Sequence, residues 1–310
     1  MKLGIVTPCY NEELGITECY ERVREVMTKL LPEYDYEHLF IDNCSQDGTV
    51  DILRKIAAND KHVRVIVNAR NFGPGRSPYH GLMIVNGDAL TAVFADLQTP
   101  PELIVDMVAK WKQGYKVVAA IRHEVEQTWS RRLMRAAFYK MFARLSNVEF
   151  IPDFFGWGLY DRQVIEVMRS LNEPDPYFRG LVAEIGFERA VVEYVEPPRK
   201  HGKTRQSFLE LLDLAILGMT TYSRAPLRLL TMVALIVAFL SFAAGTAYLV
   251  LKLLFWSSFS VGVAPLLIAA LFLAAIQMLA IGLVGEYTGL VLLYARRFPP
   301  VVEKERINFD

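Results

Sequence analysis

The sequence has few cysteines and no excess of either charge. Its three cysteines, Cys9, Cys19 and Cys44, are an odd number without metal-ligand spacing, which is typical of a reduced, cytosolic compartment. The 34 Lys and Arg residues balance 34 Asp and Glu residues, and no long basic run or recognition motif indicates nucleic-acid binding. The apolar region of a signal peptide is also absent. We therefore expect roughly the first 200 residues to stay in the cytoplasm.

Charged residues are missing from two long stretches in the last third of the chain. No charge occurs from Leu229 to Leu251 or, after Lys252, from Leu253 to Gly285. The whole chain is 53% hydrophobic with a mean hydropathy of +0.23, too apolar for an ordinary soluble enzyme. About 20 apolar residues in a helix cross a hydrocarbon core of about 30 Å, so we predict two transmembrane helices with a turn near Ser257. Two buried core helices are the alternative, which these lengths disfavour.

Basic residues flank this predicted hairpin. They are Arg224 and Arg228 before the first span, and Arg296 and Arg297 after the second. Positive charge favours the cytoplasmic side, so we expect a multi-pass protein of the inner (cytoplasmic) membrane with both ends in the cytoplasm. Segment 206–224 has apolar residues at helical spacing and predicts an amphipathic helix on the bilayer surface, with a core-packing helix as the alternative. The predicted domains are a cytoplasmic domain at 1–205, the interfacial helix at 206–224, and two transmembrane helices with a short cytoplasmic tail at 225–310.

Strand-like and helix-like segments alternate through the cytoplasmic part. Such alternation predicts an α/β fold, a mostly parallel sheet with helices on both faces. The predicted strands are Leu3–Pro8, Tyr36–Asp42, Val63–Asn68, Ala89–Ala95, Lys116–Arg122 and Arg189–Val195, with a short strand or loop at Phe150–Tyr160. The predicted helices are Glu12–Leu30, Thr49–Ala58, Gly75–Asn86, Glu102–Lys112, Ser130–Leu145 and Arg162–Leu171.

The run Thr91–Pro101 brings a carboxylate and an amide to the end of the predicted central strand. An apolar run closed by proline is typical of a buried strand in a parallel sheet. Ligands of such sheets bind beyond the carboxyl ends of the strands. Asp96 and Gln98 therefore lie where we expect the chemistry.

Polar clusters follow the first two predicted strands, at Pro8–Glu12 and Asp42–Gly48. An aromatic ring such as that of Tyr10 stacks on a base, and a carboxylate accepts hydrogen bonds from a uracil imide or a ribose hydroxyl. The helix N-termini that follow favour phosphate. Each cluster alone is more often a turn or a helix cap, but their joint occurrence favours a nucleotide site.

An ordered set of these motifs resembles the inverting family 2 glycosyltransferases of GT-A (Rossmann-like) fold. Among them, the sequence is most similar to the polyisoprenyl-phosphate glycosyltransferases, including bacterial undecaprenyl-phosphate glucosyltransferases and dolichol-phosphate mannose synthase. The matching segments are Val6–Glu12, Asp42–Thr49, Asn71–Gly75, Gly87–Asp88, Ala95–Pro101, Arg122, Phe138–Tyr139, Leu159–Arg162 and Arg199–Arg205. The resemblance covers nearly the whole cytoplasmic part, and the two-helix tail fits the membrane-anchored members.

This resemblance implies a donor site and a divalent metal site. It puts the nucleotide on Pro8, Tyr10, Glu12, Asp42 and Asp96, and Mg²⁺ or Mn²⁺ on Asp96 and Gln98. At two positions the sequence departs from the pattern: Phe94 replaces the first Asp of an Asp-x-Asp motif, and Asn43 replaces a common second Asp. These metals take about six oxygen ligands, most of which a diphosphate and water supply, so one Asp with Gln98 can suffice.

The implied acceptor is a lipid phosphate that is already anionic at neutral pH, so a strong general base is not required. Asp153 is therefore either catalytic or a loop carboxylate that caps a turn. The acceptor does need cationic groups to position it. Arg122, Arg131 and Arg135 are the candidates, because arginine makes bidentate contacts with phosphate.

A basic segment, 199–205, precedes the predicted interfacial helix. By resemblance, Arg199 and Arg205 face phosphate, either the donor diphosphate or the acceptor. The alternative is a general attraction of this segment to anionic lipids.

The leading hypothesis is transfer of a hexose, with glucose as the expected sugar, from a UDP-sugar to a polyprenyl phosphate such as undecaprenyl phosphate. The product would be a lipid-linked sugar donor for cell-envelope glycosylation. A processive polysaccharide synthase is an alternative, although the sequence has no Gln-x-x-Arg-Trp motif and two spans are too few for a polymer channel. A catalytically silent membrane scaffold or nucleotide-binding regulator is another, favoured only by Phe94. By resemblance we also expect a homo-oligomer, a tetramer.

Overall fold

The computed structural model describes residues 1–123, 151, 154–171, 173–195, 225–255, 263–295 and 298–309. Eight strands within these ranges form one sheet. They are β1 (Lys2–Cys9), β2 (Asp35–Asp42), β3 (Val63–Asn68), β4 (Ala89–Ala92), β5 (Val117–His123), β6 (Phe154–Asp161), β7 (Arg189–Val195) and β8 (Glu303–Ile307). Their spatial order is β7-β5-β6-β4-β1-β2-β3-β8. Only β6 and β8 run antiparallel to their neighbours, so the predicted mostly parallel sheet is confirmed.

Eight α-helices lie in the described ranges. They are α1 (Ile16–Glu25), α2 (Thr49–Asn59), α3 (Gly73–Ile84), α4 (Leu103–Lys112), α5 (Arg162–Leu171), α6 (Phe178–Ile185), α7 (Ala225–Leu254) and α8 (Val263–Ala295). A π-helical turn, Val26–Leu30, continues α1.

Helices cover both faces of the sheet because side chains alternate along each strand. On β1, Leu3 and Ile5 pack with α1 and α4, whereas Val6 points to the other face and packs with α3, α5 and α6. All three side chains are buried, and burying one such side chain contributes about 1.5–3 kcal/mol to folding. The polar residues predicted to form a site follow the carboxyl ends of β1, β2 and β4.

Two of the boundaries that differ from the predicted ones lie at these strand ends. Helix α1 begins at Ile16 rather than Glu12, because the preceding residues form a loop with Asn11 at a φ of 57°. Strand β4 ends at Ala92 rather than Ala95, and the chain then turns with Leu97 at a φ of 54°. A left-handed residue fits neither a right-handed helix nor a strand, so the chain leaves regular structure there.

Two elements were not predicted from the sequence. Helix α6 follows a predicted helix that is confirmed as α5, and β8 lies in the segment expected to be a tail. The segment predicted as a short strand or loop becomes β6. The predicted helix Ser130–Leu145 and the predicted interfacial helix at 206–224 fall outside the described residues.

Strand β8 pairs antiparallel with β3, although more than 200 residues separate them in the chain. Side-chain contacts join it to helices of the same domain. Glu305 forms an ion pair with Arg54 of α2 at 2.7 Å, and Glu303 Oε1 lies 2.7 Å from His80 Nε2 of α3. The side-chain amide of Asn308 donates to the carbonyl oxygen of Val63 at 2.6 Å. The sheet domain thus contains residues from both ends of the sequence.

Helices α7 and α8 belong to a second compact unit. Among the described residues, Phe272–Ala295 in α8 is the one segment that passes as a membrane span by length and composition, and none of it is buried inside protein. Helix α7 has 30 residues and also exposes large apolar side chains, such as Phe239 and Phe242. The sequence-based prediction of a second span in α7 stays a prediction.

Candidate active site

The loops that follow β1 and β2 are joined by hydrogen bonds. The amide of Asn11 donates to Ser45 Oγ at 2.8 Å, and the amide of Gln46 donates to Asn11 Oδ1 at 2.8 Å. The amide of Glu12 donates to Thr49 Oγ1 at 2.9 Å. Asn11 adopts a left-handed conformation, which asparagine tolerates better than most residues. The two polar clusters predicted from the sequence therefore form one connected surface.

Three of the predicted nucleotide ligands lie on the β1 side of this surface. Pro8 is the next-to-last residue of β1 and pairs with Ile41 of β2, while Tyr10 and Glu12 lie in the loop beyond it. All three are partly exposed. The carbonyl oxygen of Glu12 also accepts the first backbone bonds of α1, which fixes the loop against the helix.

The fourth predicted nucleotide ligand, Asp42, is fully buried. Its Oδ2 accepts a hydrogen bond from the Ser45 amide at 2.9 Å, and its Oδ1 accepts one from the Ser45 hydroxyl. Burial raises the pKa of Asp42, and the bonds from Ser45 oppose that rise. The neighbouring thiol of Cys9 has a pKa well above its ordinary value, first because it is buried and then because Asp42 is close. Asp42 holds the turn after β2 in this conformation.

Asn43 is the centre of a buried amide network. Its Nδ2 donates to Asn71 Oδ1 at 2.9 Å, and its Oδ1 accepts from the Phe72 amide at 2.9 Å and from Asn68 Nδ2 at 3.1 Å. Asn68 also donates to Ser77 at 3.0 Å. The departure from a common Asp thus has a structural basis, because a carboxylate in this position could not donate to Asn71.

Asp96 and Gln98 lie together in the turn beyond β4. The Gln98 amide donates to Asp96 Oδ1 at 3.2 Å, and the Leu97 amide donates to the Phe94 carbonyl at 3.0 Å. Both Asp96 and Gln98 are partly exposed. A Cβ on Gly15 would lie 3.4 Å from the carbonyl oxygen of Ala95, so this turn is next to the loop after β1.

The chemistry of this donor set is compatible with a hard divalent metal. Asp96 and Gln98 offer only oxygen donors in their side chains, which is the type that Mg²⁺ and Mn²⁺ prefer. No group of three or more His, Cys, Asp or Glu residues that could hold a metal occurs in the described part of the chain. These residues therefore fit a metal that takes most of its ligands from a diphosphate and water.

Phe94 contributes to an apolar pocket rather than to this donor set. Of the predicted acceptor arginines, Arg122 lies near the end of β5, with its guanidinium carbon 5.2 Å from the ring centroid of Phe155. The other predicted catalytic residues fall outside the described ranges. They are Arg131, Arg135, Asp153, Arg199 and Arg205.

Sequence reasoning missed two features of this region. The first is the hydrogen-bond network around Asn43. Its partners lie in other parts of the chain, so the sequence showed only that Asn43 stands where an Asp is common. Arg179, on α6, lies with its guanidinium carbon 4.6 Å from the centroid of Phe155. A signal for α6 did exist, since Gly186 ends the helix in a left-handed conformation, as helix-terminating glycines do.

The comparison with family models places residues 4–167 in the family described as Glycosyl transferase family 2. The matched part includes most of β1, all of β2 to β6, and the candidate donor and metal residues. The chain belongs to this family: it is a glycosyltransferase, and its mixed open sheet with helices on both faces is the GT-A fold.

Individual relatives match over the full length. The chain is 36% identical to "Uncharacterized glycosyltransferase YkcC" of Bacillus subtilis (strain 168), over 100% of this chain and 95% of that protein. It is 33% identical to "Bactoprenol glucosyl transferase" of Shigella phage SfV, over 98% of each chain. A solved structure, mannosyltransferase PcManGT from Pyrobaculum calidifontis in complex with GDP-Man and Mn²⁺, matches with 15% identity and a TM-score of 0.44 over 96% of this chain and 88% of that one.

Proposed function

We propose that this glycosyltransferase moves a hexose, glucose in the first instance, from a UDP-sugar to polyprenyl (undecaprenyl) phosphate. The observation that carries the proposal is the 33% identity, over 98% of each chain, to a relative named bactoprenol glucosyl transferase. That similarity extends beyond the catalytic sheet through the two apolar helices. A polyprenyl chain is insoluble in water, so an enzyme that uses one needs such a membrane-associated part.

The donor nucleotide would lie on the joined loops after β1 and β2. Tyr10 is partly exposed there and offers a ring for a base, and Glu12 offers a carboxylate for a ribose or base hydrogen bond. Pro8 borders the same surface. Asp42 would act indirectly in the present conformation, by holding the turn through Ser45.

The diphosphate and the sugar would then lie at the turn of Asp96 and Gln98. A bound Mg²⁺ or Mn²⁺ would neutralise charge on the leaving diphosphate. Asp96 supplies the single carboxylate of this turn, and its Oδ1 is already oriented by the Gln98 amide. Asp96 would therefore orient the diphosphate as well as contribute charge.

In the reaction, a phosphate oxygen of the acceptor attacks the anomeric carbon of the sugar from the face opposite the leaving group. The new bond joins that carbon to the acceptor oxygen, the bond to the β-phosphate oxygen of UDP breaks, and the configuration inverts. The attacking oxygen is already ionised at neutral pH, so no residue has to remove a proton from it. On this proposal Asp153 is not needed as a base.

Cationic side chains would hold the acceptor phosphate for this attack. Arg122 is placed near the end of β5, beside the exposed ring of Phe155. Arg131 and Arg135 remain candidates for the same role, and Arg199 and Arg205 for contact with either phosphate group.

Chain connectivity supports a two-helix membrane hairpin. Strand β7 precedes α7 and strand β8 follows α8, yet both belong to one sheet. A chain that leaves and re-enters one domain crosses a bilayer an even number of times. If Phe272–Ala295 crosses once, a second crossing is required, and α7 has the length for it. We therefore propose a multi-pass inner-membrane enzyme with its catalytic domain in the cytoplasm. By resemblance, we also propose that it forms a homo-oligomer.

The direct test is incubation of membranes containing the protein with labelled UDP-glucose and polyprenyl phosphate, followed by lipid extraction. Label in a glycolipid that mild acid releases as glucose supports the proposal. Label in a polymer would indicate a processive synthase. No incorporation from UDP-glucose, with a panel of other nucleotide sugars also inactive, would contradict the proposed reaction.

A further inference from the structure

An apolar pocket of about 80 Å³ lies in the catalytic domain between α3, β6 and α6. Its principal lining side chains are Pro74, Pro78, Phe94, Phe155, Trp157 and Phe178. None of them carries a charge, and a cavity with an apolar lining favours an apolar occupant over water. Phe94 and Phe155 are 36% and 54% exposed, so the pocket opens to the surface on their side.

Two guanidinium groups converge on the exposed ring at this opening. The Cζ atoms of Arg179 and Arg122 lie 4.6 Å and 5.2 Å from the ring centroid of Phe155. Cation–π attraction holds each of them there, but two like charges around one ring repel each other. Guanidinium groups are the side chains best suited to bind phosphate oxygens, so an anionic group at this opening would be within reach of both arginines.

The local sequence explains how Arg179 reaches this ring. Gly156 has a φ of 91°, and a Cβ added to it would lie 2.7 Å from the Cβ of Phe178. Only glycine allows β6 and α6 to approach so closely. Arg179 is the next residue along the helix, so the close approach brings its side chain beside Phe155.

The pocket is also next to the proposed sugar position. Phe94 lines the pocket, and Asp96 follows two residues later in the turn that contains the candidate metal ligands Asp96 and Gln98. The indole of Trp157 donates to the carbonyl oxygen of Ala92 at the end of β4, which fixes the pocket wall to the same strand. A ligand in the pocket would therefore present its charged end near the donor.

We propose that Arg179 and Phe155, with this pocket, bind the phosphate and the first isoprene unit of the polyprenyl phosphate acceptor. The inference rests on the proposed function and adds to it a residue and a ligand position. A polyprenyl phosphate joins an anion directly to an apolar chain, which matches guanidinium groups at the mouth of an apolar pocket. The donor fits less well, since a hexose carries hydroxyl groups and a uridine diphosphate has no apolar tail.

Steady-state kinetics of the full-length enzyme in detergent tests the assignment. Arg179→Ala should raise the KM for polyprenyl phosphate by about tenfold or more and leave the KM for the nucleotide sugar within about twofold. Arg179→Lys keeps the charge and should fall between wild type and Arg179→Ala. The matched control is Arg162→Ala, which removes an exposed arginine of α5 that pairs with Glu166, and should change neither constant.

Two kinetic results would overturn the assignment. One is an unchanged acceptor KM in Arg179→Ala. The other is an equal or larger rise in the donor KM, which would place Arg179 at the diphosphate instead. Phe155→Leu gives a second measurement if Arg179→Ala folds poorly: it should raise the acceptor KM about threefold or more, because the platform for the guanidinium groups is lost.

A binding experiment separates this inference from the proposed reaction. Calorimetric titration of the full-length protein would use geranyl phosphate, geraniol and inorganic phosphate as probes. Geranyl phosphate should bind most tightly, and Arg179→Ala should weaken it about tenfold while leaving geraniol unaffected. Equal binding of geranyl phosphate to wild type and Arg179→Ala would refute the subsite even if sugar transfer occurs. Arg179-dependent binding in an enzyme that transfers no sugar to polyprenyl phosphate would refute the reaction and keep the subsite.

Discussion

The imidazole Nε2 of His38 and the hydroxyl oxygen of Thr7 lie 2.8 Å apart, buried side by side on the neighbouring strands β2 and β1. Burial lowers the pKa of His38 from 6.5 to about 3. The folded protein therefore holds a neutral imidazole, whereas the unfolded chain binds a proton below about pH 6.5. Since these strands carry the donor-site loops, the charge state of His38 bears on the stability of the site.

The contribution of His38 to stability should thus be complete above about pH 6.5 and be lost as the pH falls towards 3. By about pH 5 the loss should be roughly 2 kcal/mol. Thermal melting of the full chain in detergent at neutral pH and at about pH 5 measures it. His38→Gln should flatten this pH dependence, and the exposed His62→Gln should not. The same acid destabilisation in His38→Gln as in wild type would contradict the assignment.

Asp96 supplies the only carboxylate of the turn beyond β4. We expect Asp96→Ala to lower sugar transfer about 100-fold or more without unfolding the protein, because the side chain is partly exposed. Asp96→Asn should be nearly as damaging, since it keeps the shape and removes the charge. Asp106→Asn, an exposed change on α4, is the control. Near wild-type turnover with unchanged metal dependence in Asp96→Ala would remove Asp96 from the metal site.

Replacement of Asn43 by Asp would introduce the residue that is common in the family, but it should destabilise this protein. A carboxylate cannot donate to Asn71 or to the Gly73 carbonyl, and it would be buried. We expect Asn43→Asp to destabilise the fold by about 1–3 kcal/mol and to raise the KM for the nucleotide sugar. The exposed Asn86→Asp is its control in melting and kinetic measurements. A stable Asn43→Asp protein with wild-type kinetics would show that the network is dispensable.

The hairpin proposal makes a prediction about sidedness. Reporters fused before Met1 and after Asp310 should both indicate the cytoplasm, because β1 and β8 belong to one sheet. A tag inserted at Ser258 should be labelled by an impermeant reagent from outside intact cells. Labelling of the Ser258 tag only after the membrane is opened would place the turn on the cytoplasmic side and exclude the hairpin.

Asn308 allows the attachment of β8 to be dissected. It has a φ of 63°, and its side-chain amide donates to the Val63 carbonyl. Asn308→Gly keeps the backbone conformation and removes the hydrogen bond, whereas Asn308→Ala removes the bond and adds backbone strain. We expect losses of about 1 kcal/mol for Gly and about 2 kcal/mol for Ala in melting experiments. An equal effect of both changes would mean that backbone strain contributes nothing here.

Much of the sheet could be predicted because its strands are apolar runs bounded by turn residues. Strand β8 could not be predicted, since four of its five residues, Glu303–Ile307, are charged and it has no apolar run. Charged residues are common in edge strands. Helix α6 was missed because its eight residues are too few for a clear helical period. The apolar run of the sequence also does not show where β4 ends. Tertiary structure ends the strand at Ala92, before Asp96.

The candidate site also has residues that the sequence could identify and residues that it could not. Strand-end positions and family resemblance were enough to select Tyr10, Glu12 and Asp96. The partners of Asn43 and the approach of Arg179 to Phe155 come from segments far apart in the chain, so no local pattern contains them.

The pairing of β3 with β8 also fixes an order of events during synthesis. The open edge of β3 exists as soon as residue 68 is made, but its partner strand β8 follows both apolar helices in the chain. Until then the edge carries unpaired amide and carbonyl groups that another chain could bind. Completion of the catalytic sheet therefore requires that both apolar helices have already been synthesised. A chain stopped within those helices would carry an unfinished sheet and be open to proteolysis.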